Sequence, residues 1–124
     1  MADTTLTWLG HAAFRIDTAA GKRIYFDPFL NVNPKCPAGE QIPERADIVA
    51  VTHGHGDHVG DTVAIAKQHG STVLAQVELA GWLVAQGVDD DKCIGFNKGG
   101  TVTVDGIKFT LVNAFHSSST PDGT

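Results

Sequence analysis

Three histidines and one aspartate, His53, His55, Asp57 and His58, fall within six consecutive positions. Neutral imidazole nitrogens and a carboxylate oxygen make up the donor set of a zinc site, with nitrogen ligands about 2.0–2.1 Å from the ion. In extended backbone, side chains two apart point the same way, so His53 and His55 can converge on one ion. Asp57 and His58 follow after the chain has begun to turn. They face another direction and can reach a second ion, and paired ions in hydrolytic sites lie about 3.5–4 Å apart. Gly54 and Gly56 have no Cβ, which lets the loop bend sharply and lie close to the ions. A single histidine of this kind would be a residue satisfied by hydrogen bonds. Four such groups in one loop are costly to bring together unless a cation compensates them.

The elements around the loop decide whether it can be held still. Asp47 to Val51 is short, apolar and β-branched and reads as a buried strand, so the cluster sits at a strand's C-terminal end, where α/β sheets commonly place their sites. Behind it, Asp61 can cap a helix running to about His69, with Gly70 suited to its exit. Upstream, Thr5 to Leu9, Ala12 to Asp17 and Arg23 to Asp27 alternate as three strands of an antiparallel meander, with a turn around Gly21 and a stop at Pro28. Asn31 to Glu44 is a loop that could overhang the metal site or be an ordinary surface connection. Downstream come a strand at Thr72 to Ala75 and a helix at Val77 to Gln86, closed by Gly87. That helix carries Leu79, Trp82 and Leu83 on one face. Asp89 to Asp91 is a solvated acidic loop. Asp105-Gly106 between Thr101–Val104 and Ile107–Val112 is a hairpin signal, and its second strand runs into His116.

The chain's 124 residues are one domain's worth, 1–124, and 42% hydrophobic with 19% charged content suits a packed core. A net charge of −5 without a Lys/Arg run argues against a nucleic-acid or anionic-membrane partner. The N-terminus shows no charged-then-apolar signal pattern, and no stretch approaches a membrane span, so a cytoplasmic protein is expected. Cys36 and Cys93 read as reduced thiols without a ligand role. No Gly-x-Ser-x-Gly elbow supports a serine nucleophile.

His53-x-His55-x-Asp57-His58 resembles the signature of the metallo-β-lactamase superfamily. Thr7-Trp8-Leu9-Gly10-His11-Ala12-Ala13-Phe14, with Asp27-Pro28-Phe29, is similar to the branch of small, uncharacterised metal-dependent hydrolases related to lactonase-like and phosphodiesterase-like members. The resemblance implies an α+β fold: half of a four-layer αββα sandwich, a mixed sheet with helices on one face. It implies a metal-dependent hydrolase that uses metal-activated hydroxide on an ester, lactone or phosphodiester bond of a small-molecule substrate. Two zinc ions are expected in a complete site, though His/Asp sites also accept Mn, Fe or Ni. His116 matches the third histidine for the first ion, since His53 and His55 alone leave zinc short of its usual three protein ligands. Asp57 would bind the second ion beside His58 and orient the nucleophile. Asp27 would accept a hydrogen bond from a ligand imidazole, and His11 would bind substrate or contact the metal loop. His69 is left outside the site.

The complete pattern needs two further ligands after His116, a bridging carboxylate and a last histidine. Between Ser117 and Thr124 there is only Asp122, too close to His116 to match. The chain thus resembles the N-terminal half of the fold. A bare inner sheet face would then call for the missing C-terminal half or a second chain, including a homo-oligomer. The rival reading is a catalytically incomplete half-domain acting as a metal-binding or assembly module. A paired-iron oxidoreductase is a third class.

Overall fold

The computed structural model describes residues 3–124. Six strands form one mixed sheet in chain order. β1 (Thr5–Trp8), β2 (Phe14–Asp17) and β3 (Arg23–Phe26) are the antiparallel meander. β4 (Ile48–Ala50), β5 (Thr72–Gln76) and β6 (Cys93–Phe96) continue parallel to β3. Parallel neighbours need crossovers. The β4–β5 crossover carries α1 (Gly56–Val59) and α2 (Thr62–His69), and the β5–β6 crossover carries α3 (Val77–Ala85). β7 (Thr101–Val104) and β8 (Ile107–Thr110) form a separate hairpin turning at Asp105-Gly106. Among the described residues, no helix is long and apolar enough to cross a membrane.

Strand alternation sorts the apolar residues into two cores. Tyr25, Val49 and Val73 face the helices and pack with Val59, Ile65, Leu79 and Leu83. Ile24, Ile48 and Leu74 face the other way and pack beneath Val104 and Phe109 of the hairpin. Ile24 pairs with Ile48, and Ala50 with Leu74, so one face stays in register across three strands. A strand covered on both faces reads as a continuous apolar run, which is why Ile48-Val49-Ala50 does.

Several expectations change. The inner face is not wholly bare, because the β7–β8 hairpin covers its central strands; only toward β1 does it stay open, with Leu6 66% and Trp8 61% exposed. β6 went unread because Gly95 interrupts its pattern. A Cβ there would lie 3.1 Å from Val77 Cα, so this glycine lets α3 approach the strand closely. Asp61 occupies the N-cap position of α2 without capping it. Its carboxylate instead accepts from Asn31 N at 2.8 Å, pinning the start of the 31–44 loop. The later part of that loop lies against Arg15, Arg23 and Tyr25, with Glu40 paired to Arg15, and contributes nothing to the histidine cluster. The second hairpin strand ends at Thr110 rather than Val112.

Candidate metal centre

The site is built on one buried carboxylate. Asp27, 2% exposed, directly follows β3 with φ 47°, a left-handed turn that Pro28 follows. Its Oδ1 accepts from Thr52 N at 2.7 Å, and its Oδ2 accepts from Thr52 Oγ1 at 2.6 Å and from His58 Nδ1 at 2.7 Å. Because β3 and β4 are parallel neighbours, their C-terminal ends emerge together, and this lets Asp27 clamp the loop that leaves β4. Donation from Nδ1 fixes the tautomer of His58 and leaves Nε2 with its lone pair outward. Thr52 carries the clamp one residue on, since its Oγ1 also lies 2.9 Å from His53 Nδ1.

His53, His55 and His116 come together, each with one ring nitrogen within 4.8 Å of the others. Ring centroids are 4.7 Å apart for His53 and His55, 4.8 Å for His53 and His116, and 5.1 Å for His55 and His116. His53 Nε2 and His55 Nδ1 share a hydrogen bond at 3.0 Å. Burial pushes the pKa of His53 down, and repulsion from His58 adds to it, against the attraction of Asp27. The ring is thus held in its neutral, lone-pair-bearing form.

His116 arrives from the far end of the chain. Past β8 the segment crosses directly over the metal loop, where Gly54 N donates to Ser118 Oγ at 3.1 Å. A Cβ on Gly54 would lie 1.6 Å from the Ser119 carbonyl oxygen. The loop's first glycine is therefore the slot through which the third histidine's segment passes.

A second group holds His11, Asp57 and His58, again with ligand atoms within 4.8 Å. His11 sits on the β1–β2 turn at φ 55°, its carbonyl accepting from Trp8 Nε1 at 2.9 Å. Its Nε2–H donates to Asp57 Oδ2 at 2.9 Å. Desolvation alone would raise the Asp57 carboxyl, but the hydrogen bond from His11, a backbone hydrogen bond and the attraction of His58 and His11 together outweigh it and hold the carboxyl below its ordinary range. Asp27, His53 and His58 form a third overlapping group, which links the other two.

The five residues expected as ligands thus fall into two adjacent groups, with Asp27 beneath them. His11 contacts the metal loop and stands in the second group as a potential ligand. Thr52 was missed in the sequence, and its place between the strand and His53 was the available signal. His69 lies apart, donating to the Pro43 carbonyl at 3.0 Å, and Asp122 accepts from Trp82 Nε1 at 3.1 Å.

A family model described as the beta-lactamase superfamily domain matches residues 5–123. The chain belongs to that superfamily. Superfamily relatives include a UPF0173 metal-dependent hydrolase of Herpetosiphon aurantiacus, 49% identical over all of this chain and 52% of the relative. One of the same name from Brucella anthropi is 55% identical over 92% of this chain and 48% of its own length. The chain spans about half the length of these curated relatives. Among solved structures, Igni18, a metallo hydrolase from Ignicoccus hospitalis, superposes with a TM-score of 0.80 at 31% identity, covering 93% of this chain and 50% of that one. A CmlA β-hydroxylase variant shares the fold with a TM-score of 0.63 at 23% identity, over 83% of this chain and 23% of its own.

Proposed function

We propose that His53, His55 and His116 hold one divalent cation, and that His11, Asp57 and His58 contribute to a second. The donor chemistry fits. Three imidazoles converge, and two of them share the proton whose place a cation would take. His53 is kept neutral, and His58 has its tautomer fixed by a buried carboxylate. We favour zinc for this nitrogen-rich set, with Mn, Fe and Ni as the rivals.

The activity we propose for the whole protein is hydrolysis of an ester, lactone or phosphodiester bond in a small molecule. A cation bound here supplies Lewis acidity, polarising the scissile group's oxygen and lowering the pKa of a water toward about 7. The chain's residues do the rest. Asp57, ionised at neutral pH, accepts a hydrogen bond from the attacking water and aims its lone pair. Asp27 and Thr52 fix the rings of His58 and His53, so that little reorganisation is needed during the reaction. The observation that carries this reading is the convergence of His53 and His55 with His116, 61 residues further along the chain than His55.

The second reading, a half-domain that binds metal or assembles without turnover, is favoured by the open β1 edge of the inner face. Metal analysis beside hydrolysis of p-nitrophenyl acetate and bis-p-nitrophenyl phosphate separates the two. Zinc-dependent turnover abolished by His55→Ala is expected. Full metal content and full activity in His55→Ala would end the hydrolase reading.

A further inference from the structure

The first metal group opens on one side into a cleft of about 680 Å³, a size typical of small-molecule sites. His53 and His116 lie at the metal end. Leu79 of α3 and Leu111 and Val112 of the segment leaving β8 supply apolar wall. Lys98, in the β6–β7 connection, is the one lysine, arginine or carboxylate side chain lining it. None of the ion pairs among the described residues involves Lys98. Among the described residues its ammonium donates one long hydrogen bond, 3.3 Å, to Asn113 Oδ1. In a chain of net charge −5, a lysine without a carboxylate partner, set in the wall of this cleft away from the proposed cation, is a second point of attraction for an anion.

We propose that Lys98 anchors a carboxylate of the substrate, so that the preferred substrates are esters or lactones with an apolar acyl body and a carboxylate remote from the scissile bond. This rests on the hydrolase reading above. A single ammonium suits a monoanion, whereas a phosphate would call for several donors or a planar guanidinium fork. Leu79, Leu111 and Val112, which line the same cleft, would cover the methylene chain. In the reaction, water oxygen bonds to the acyl carbon, the acyl C–O bond breaks, and the leaving oxygen takes the proton. An ester releases a carboxylic acid and an alcohol, a lactone opens to a single hydroxy acid, and nothing is oxidised.

The test uses the zinc-loaded protein and two esters with one leaving group and chains of equal length, p-nitrophenyl hexanoate and mono-p-nitrophenyl adipate. They differ only in a terminal methyl against a carboxylate. The wild-type ratio of kcat/KM, adipate over hexanoate, should exceed one. It should fall roughly 10- to 100-fold in Lys98→Met, mostly through KM, recover in Lys98→Arg and fall furthest in Lys98→Glu. In parallel, adipamate, which is not cleaved, is titrated by calorimetry. Its affinity should drop by a similar factor in Lys98→Met at unchanged zinc content. A ratio and an adipamate affinity identical in wild type and Lys98→Met would overturn the anchor. If the wild type turns over neither ester, the hydrolase reading fails, and the adipamate titration alone decides whether Lys98 binds a carboxylate.

Discussion

Replacing Gly54 with alanine adds one methyl group and should remove a metal ligand. The new Cβ would meet the Ser119 carbonyl oxygen at 1.6 Å and its carbon at 2.7 Å. Cβ contacts under 3.0 Å essentially do not occur, so the crossing segment must retreat by about 1.4 Å. These neighbours, and Thr120 Cα at 3.4 Å beyond them, are backbone atoms, and no side-chain rotation relieves the clash. Gly54 is not among the residues with positive φ, so alanine suffers no conformational strain and the effect is purely steric. His116 lies three residues before Ser119, and metal–ligand distances tolerate only about ±0.2 Å. The retreat would therefore carry the third imidazole out of reach. Loss of supporting contacts alone typically costs 10- to 100-fold in metal affinity, and loss of a ligand should cost at least roughly 100-fold. The displaced segment is mostly exposed, so thermal stability without metal should change by less than about 1 kcal/mol. Competition titration against a chromophoric chelator measures the affinity. Because both changes act on one ligand, Gly54→Ala and His116→Ala should not add in the double variant. Zinc affinity within twofold of wild type in Gly54→Ala, or losses that add fully, would refute the reasoning.

Asp27→Asn should lower stability by roughly 2–4 kcal/mol, seen in urea denaturation, because it leaves three donors sharing a weaker buried acceptor. A pH dependence follows from Asp17. Burial alone would raise its carboxyl, but hydrogen bonds from Arg23 Nε at 2.6 Å and Arg15 Nε at 2.9 Å outweigh burial and hold it below the ordinary range. Its folded pKa thus lies below the unfolded value of about 3.9, so its contribution is complete above that value and disappears as pH falls through the folded pKa. Denaturation midpoints of wild type should fall across this acid window, and those of Asp17→Asn should fall less. Leu6, exposed toward the uncovered β1 edge, should contribute to self-association of the 124-residue chain. Leu6→Lys should shift its sedimentation toward monomer without lowering the melting temperature, and a wild type already monomeric at high concentration would contradict this.

What could be read from the sequence follows from range of interaction. The meander strands, α2, α3 and the Asp105-Gly106 hairpin declare themselves through local alternation, periodicity and turn chemistry, and the structure places them close to the expected positions. β6 did not, because its stability comes from pairing with β5 and from α3 seated on Gly95. The hairpin's cover over Ile24, Ile48 and Leu74 is a tertiary choice that alternation in Val102, Val104, Ile107 and Phe109 permits but does not aim. At the site, the 53–58 loop announces its chemistry by spacing alone. The meeting of His11 with Asp57 spans 46 positions and depends on the β1–β2 turn lying beside the metal loop. Asp61 shows the opposite failure, where a locally sound cap lost to a longer-range demand from Asn31 N.

The central claim is that His53, His55 and His116 share one cation. A zinc-edge anomalous difference map from crystals of the zinc-loaded protein tests it most directly. A peak about 2.0–2.1 Å from one ring nitrogen of each of the three is expected. A peak held by His53 and His55 with the imidazole of His116 turned away, or no peak between them, would contradict it.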